Sequence, residues 1–205
     1  MEKVFEAIRT NDTKTVEVLI KLGQDVNAKD ESGNSPLHFA RSPKAARILI
    51  DSGADVNAKN NNGNSPLHYA NSPEIAWILV KAGADVNAKN KSGFSPLHYA
   101  IDFASLNLKQ THVKMLIEAG TDLNIQDNDG LTPLHLSIRL NHDRNIAYML
   151  VNAGADVNAK DKYEYSPLHY AIMNEKMDIA NRLIDAGADV NAKDNQGKKA
   201  LEYMP

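Results

Sequence analysis

Apolar residues in this chain fall in short clusters bracketed by Gly, Asn and Asp, a pattern that predicts short helices joined by tight turns. Ile75, Ala76, Ile78, Leu79 and Val80 supply one apolar helix, and Gly83 follows as a stop that tolerates positive φ. Helix starts are marked as clearly. Ser35 can cap with its side-chain oxygen while Pro36 takes the first helical position, where a missing N–H costs little. Between helices, Asp30-Glu31-Ser32-Gly33 and Asn60-Asn61-Asn62-Gly63 carry turn chemistry. No apolar run nears the roughly 18 residues that a membrane-spanning helix requires, so no span and no membrane partner are predicted.

These signals recur in a fixed phase. Ser-Pro-Leu-His begins at Ser35, Ser65, Ser95 and Ser166, and Thr132-Pro133-Leu134-His135 fills the remaining place, giving intervals of 30, 30, 37 and 34 residues. Gly-Ala-Asp-Val-Asn-Ala-Lys begins at Gly53, Gly83, Gly154 and Gly187, with looser copies at Gly23 and Gly120. Two independent markers in one phase define a repeat. The chain resembles the ankyrin repeat family, whose unit of about 33 residues carries Thr-Pro-Leu-His-x-Ala. That resemblance spans essentially all 205 residues. It implies an all-α ankyrin-repeat solenoid of stacked helix-turn-helix units with β-hairpin-like fingers. One helix pair cannot cover its own apolar face, so neighbours must stack. A single elongated domain, 1–205, is expected, with units at about 1–29, 30–59, 60–89, 90–126, 127–160 and 161–193 and a partial unit at 194–205. Glu2, Glu6 and Arg9 give the first unit the polar outer face of an N-terminal cap.

By resemblance, partner contact falls on the finger tips and on the concave face made by the first helices. The first two tips, Glu31, Ser32, Asn34 and Asn61, Asn62, Asn64, are polar. Later tips carry Phe94, Leu131, Tyr163 and Tyr165, and aromatic residues are common interface anchors. These side chains are read as contact residues, against the alternative that they pack on the neighbouring finger. Glu164 replaces the usual finger Gly and leaves that turn undetermined.

Unit lengths add a second expectation. From the motif Ala to the closing Gly there are 13 steps in units two and three, against 16 in units one and six. Arg41-Ser42-Pro43 and Asn71-Ser72-Pro73 fit a shortened first helix, because Ser then Pro starts a second helix almost at once. Unit four needs 20 steps, from Ala100 to Gly120. An extra helical turn there would project about 5 Å. The expected result is a recess over units two and three, bounded by a ledge carrying Phe103 and Leu106, with neutral length variation as the alternative. Trp77, six residues before Gly83, falls toward the outer face, either as a second contact patch or covered by Lys81 at i+4.

Candidate chemistry changes little. His38, His68, His98, His135 and His169 share one repeat position, and stacked helices about 8–10 Å apart cannot bring them around one ion whose ligands lie at about 2 Å. A recurring hydrogen bond joining finger to helix start is expected instead. Asp25, Asp55, Asp85, Asp122, Asp156 and Asp189 occupy equivalent turns and are expected to serve turn hydrogen bonding. No phosphate loop, nucleophile elbow or His-Glu-x-x-His motif occurs. No catalytic site, cofactor or metal is expected. A formal charge of −3 spread along the chain gives no basic stripe for nucleic acid. Zero cysteines and no secretory start favour a cytoplasmic setting. The leading expectation is a monomeric, non-catalytic scaffold for a protein partner. Its alternatives are the targeting arm of a larger effector or enzyme whose catalytic part lies beyond Pro205, and self-association through Leu201, Tyr203 and Met204.

Overall fold

The computed structural model describes residues 2–102, 106–140 and 143–204, with the backbone alone for 106–108. Two compact units, Met1–Lys91 and Ser92–Pro205, are described in turn.

In the N-terminal unit, α1 (Glu2–Arg9) and α2 (Thr13–Lys21) form the first repeat. Val4, Phe5, Ala7 and Ile8 face inward on α1, while Glu2, Glu6 and Arg9 are exposed. The second repeat pairs a single 3₁₀ turn at Pro36–Phe39 with α3 (Pro43–Asp51), and the third pairs Pro66–Tyr69 with α4 (Pro73–Lys81). Two prolines seven residues apart explain the brevity. Proline disfavours helical backbone at the residue before it, and Ser42 and Ser72 are extended at φ −138° and −146°. Each serine then caps the following helix, accepting from the N–H of Ala45 at 3.2 Å and of Ile75 at 3.3 Å.

The C-terminal unit has full first helices. It contains α5 (Pro96–Asp102) with α6 (Leu106–Glu118), α7 (Pro133–Arg139) with α8 (Arg144–Asn152), α9 (Pro167–Met173) with α10 (Met177–Asp185), and a last 3₁₀ turn at Ala200–Tyr203. The 20-step fourth repeat resolves as a long second helix, for α6 has 13 residues where α3, α4, α8 and α10 have 9. Four residues add about 6 Å.

One stripe of each second helix makes the core. Ala45, Ala46 and Leu49 in α3 are buried at the same positions as Ile75, Ala76 and Leu79 in α4, Ile146, Ala147 and Leu150 in α8, and Ile179, Ala180 and Leu183 in α10. Side-chain amides and ammonium groups stitch the repeats below the fingers. Asn27 Nδ2 donates to the Gly53 carbonyl at 3.0 Å while its Oδ1 accepts from Asp55 N–H at 2.8 Å, and Lys29 Nζ reaches the Lys59 carbonyl at 2.7 Å. Asn57 and Lys59 repeat the pattern on Gly83 and Lys89. Fingers are turns rather than strands, with one isolated antiparallel bridge, Lys193 to Lys199, among the described residues.

Candidate functional site

Cutting two adjacent first helices to one turn leaves the surface above them hollow. A recess of about 480 Å³ lies there, lined by Asn34, His38, Phe39, Arg41, Tyr69 and Asn71. Every one of these residues belongs to the N-terminal unit. The recess expected from the short repeats is therefore present. Of its expected ledge, Phe103 and the side chain of Leu106 lie outside the described residues.

The lining is held from beneath. His38 Nδ1 accepts from Ser35 N–H at 3.0 Å, which places the ring proton on Nε2, and Nε2 donates to the Asn64 carbonyl at 3.0 Å. Burial holds His38 below the usual imidazole range, so it stays neutral. The Tyr69 ring is 38% exposed, and its hydroxyl accepts from Asn64 Nδ2 at 2.8 Å and Asn60 Nδ2 at 3.2 Å. Phe39 stands at the equivalent position without a hydroxyl. Its finger residue, Asp30, is met instead by Arg9 at 3.5 Å, whose guanidinium lies 4.5 Å from the Phe39 ring centre. Arg41 is exposed, and its guanidinium makes no ion pair or hydrogen bond among the described residues. Asn71 occupies the matching place one repeat on.

The other predicted residues separate. Leu131 is a correction: it is 2% exposed, and its backbone N–H and carbonyl serve Asp127 and His98, so it packs as core and offers no contact surface. Phe94 is half-buried, stacked on His98 with ring centres 5.3 Å apart and edge-on to Tyr99 at 6.2 Å. Tyr165 sits among His169, Tyr170 and Tyr203, with ring centres 5.6 to 6.1 Å away. Both therefore pack chiefly on the first helix of their own repeat, α5 for Phe94 and α9 for Tyr165, rather than on the neighbouring finger. Tyr163 is the outward aromatic, 48% exposed with Lys162 Nζ 5.0 Å from its ring centre. Trp77 is 43% exposed on α4, and Lys81 Nζ lies 4.6 Å from its ring centre, the contact at i+4 that the alternative to a contact patch described.

The repeated histidines are structural struts. Besides His38, Nε2 of His98, His135 and His169 bonds the carbonyls of Leu131, Tyr165 and Lys198 in the following finger at 3.1, 3.1 and 3.3 Å. The bond thus joins a helix start to the next repeat's finger. Burial pushes His135 down to about 4. The marker aspartates close their own turns, as in Asp55 Oδ1 accepting from Asn57 N–H at 2.9 Å. Among the described residues no three metal-ligating side chains cluster, and no helix is long and apolar enough to cross a membrane. Sequence reasoning found the recess through Arg41-Ser42-Pro43 and Asn71-Ser72-Pro73 yet assigned contact elsewhere; Phe39, Arg41 and Tyr69 were missed as its lining. The Ser-Pro restart was the signal, since whatever flanks a shortened turn must line the hollow.

Stacked helix pairs, turn-closed fingers and the histidine struts define an ankyrin repeat protein. A family model described as ankyrin repeats in three copies matches residues 4–90 and 102–194, and the chain belongs to that family. Among solved structures it is similar to the ankyrin repeat domain of Bcl-3, described as a unique member of the IkappaB protein family, at 26% identity and TM-score 0.89, covering 99% of this chain and 93% of that one. An ankyrin repeat domain from Acinetobacter baumannii AYE is 31% identical with TM-score 0.79, covering 91% of this chain and 98% of its own. No curated protein matches the sequence.

Proposed function

We propose that the chain is a non-catalytic protein-binding module that holds an extended segment of its partner in the recess over the second and third repeats. Ankyrin repeats generally mediate protein–protein interaction and are typically non-catalytic. The observation that carries the location is the hollow made by the two single-turn first helices, with the Phe39 and Tyr69 rings in its lining. A preformed hollow on a packed array needs little ordering when a partner binds. Filling it tests the reading. Asn71→Trp, at an exposed position, is expected to abolish partner capture by the intact chain with its circular dichroism unchanged, whereas Tyr163→Ser leaves capture intact. The reverse result moves the site to the finger tips of the C-terminal unit.

A monomer in a reducing compartment such as the cytosol completes this reading, in keeping with a chain that has no cysteine. One observation favours self-association as a second reading. Leu201 stands at the motif position where Leu37, Leu67, Leu97, Leu134 and Leu168 are 0 to 3% exposed, yet it is 47% exposed beside Met204 at 49%. Light scattering across a concentration series separates the two.

A further inference from the structure

The recess reading leaves the partner's chemistry open, and the charge of the lining narrows it. Resting on that reading, we propose that the recess recognises an acidic residue on an extended partner segment, with the Arg41 guanidinium binding the Asp or Glu carboxylate.

Charge distinguishes the recess from a neighbouring concavity of the N-terminal unit. That one, beside α1 and about 600 Å³, has Glu2, Arg9, Lys29, Asp30 and Glu31 in its wall, with the Lys29 ammonium held by the Lys59 carbonyl at 2.7 Å. There the arginine is already bound to Asp30 and laid on Phe39, and an incoming anion meets two further carboxylates. In the recess the balance is different. Among its described lining residues Arg41 alone carries a charge, because His38 is neutral and Asn34 and Asn71 are amides. Its guanidinium is exposed and uncommitted. A planar fork of five N–H donors with no acceptor fits a carboxylate through two parallel bonds, and with no carboxylate in the lining nothing there competes for it. The same absence gives a basic partner side chain no counter-charge.

Repeat geometry sets a register as well. Arg41 and Asn71 occupy one position in adjacent repeats, and stacked helices lie about 8–10 Å apart. An extended chain rises about 3.3 Å per residue. The Asn71 amide therefore meets the partner about three residues from the acid, while the Phe39 and Tyr69 rings face the residues between.

The test uses fluorescein-labelled hexapeptide pools, N-acetylated and C-amidated, each fixed at one position as Glu, Gln, Lys or phosphoserine. Binding to the intact chain is read by fluorescence anisotropy in about 50 mM and about 300 mM salt, which screen exposed charge differently. We expect the Glu pool to bind about tenfold more tightly than the Gln pool, corresponding to about 1.4 kcal/mol, and the advantage to shrink at higher salt. Arg41→Gln erases the difference, Arg41→Glu turns the preference to Lys, and Asn71→Trp blocks every pool. Equal binding of the Glu and Gln pools, or a Glu preference that survives Arg41→Gln, overturns the acidic assignment while the Asn71→Trp block keeps the recess reading. A phosphoserine pool more than about tenfold tighter than Glu overturns the carboxylate in favour of a phosphorylated partner. Binding that ignores Asn71→Trp, or no pool binding at all, overturns both readings.

Discussion

His112 stands eight residues before its closing glycine, the position that carries Ala45, Ile75, Ile146 and Ile179 in the other second helices. It is 4% exposed, and burial pushes it down to about 4. A histidine in a core stripe is neutral when folded and protonates freely when unfolded. Between pH 6.5 and 4 the unfolded chain therefore takes up a proton that the folded chain refuses, and stability falls as pH falls. Isoleucine removes that linkage. His112→Ile is expected to add about 2 to 3 kcal/mol at pH 4.5 beyond its effect at pH 8, read as the shift in urea midpoint at each pH. An equal effect at both would sink the burial argument. Glu164 shows a different residue-scale compromise. It holds φ at 63° where other fingers have glycine near 80°, yet the strut that lands beside it, from His135 to the Tyr165 carbonyl, keeps a length of 3.1 Å.

At the scale of the element, the glycines divide into two kinds. Gly53 ends α3 at φ 89°, and a Cβ added there meets nothing within 4 Å. Gly33, in a finger at φ 75°, would place a Cβ 2.9 Å from the backbone nitrogen of Asn61 in the next finger. Both substitutions carry the left-handed strain of about 1–2 kcal/mol, but only one also separates two fingers. Gly33→Ala is expected to destabilise by at least about 1 kcal/mol more than Gly53→Ala in chemical denaturation. Equal losses would mean that the fingers yield without cost.

For the whole molecule the titrating groups predict a stability plateau. On the acid side His38, His112 and His135 are lowered by burial, and Asp12, Asp129, Asp178 and Asp194 are lowered by the hydrogen bonds they accept, against some opposing burial. Both kinds lose stability as pH falls, histidines from about 6.5 and carboxylates below about 4. On the alkaline side burial and the Asp161 bond raise Tyr170, and the Asp194 bond raises Tyr203, so their contribution is lost above about 10. Burial lowers Lys109 and the half-buried Lys176, which oppose this. Melting temperature followed by circular dichroism is expected to stay level from about pH 7 to 9 and to fall on either side. A melting temperature that stays level or rises as pH falls from about 6 to 4 would contradict it. Trp77 fluorescence is the wrong probe, because that ring is already 43% exposed when folded.

The repeats, their helix starts and stops, and the shortening over the second and third units were legible in the sequence, because caps, prolines and turn glycines act within a few residues of where they stand. Glu164 escaped that reading because its left-handed backbone is imposed by the finger closing around it, with Asp161 accepting from Tyr163 and Tyr165. Which tip residues face outward was decided only by packing. Leu131 and Tyr163 belong to successive fingers, yet one is buried and the other half in solvent. Arg41 acquired its significance in the same way. Its charge is written in the sequence, but its lack of a partner, beside an Arg9 that has one, exists only once the repeats are stacked.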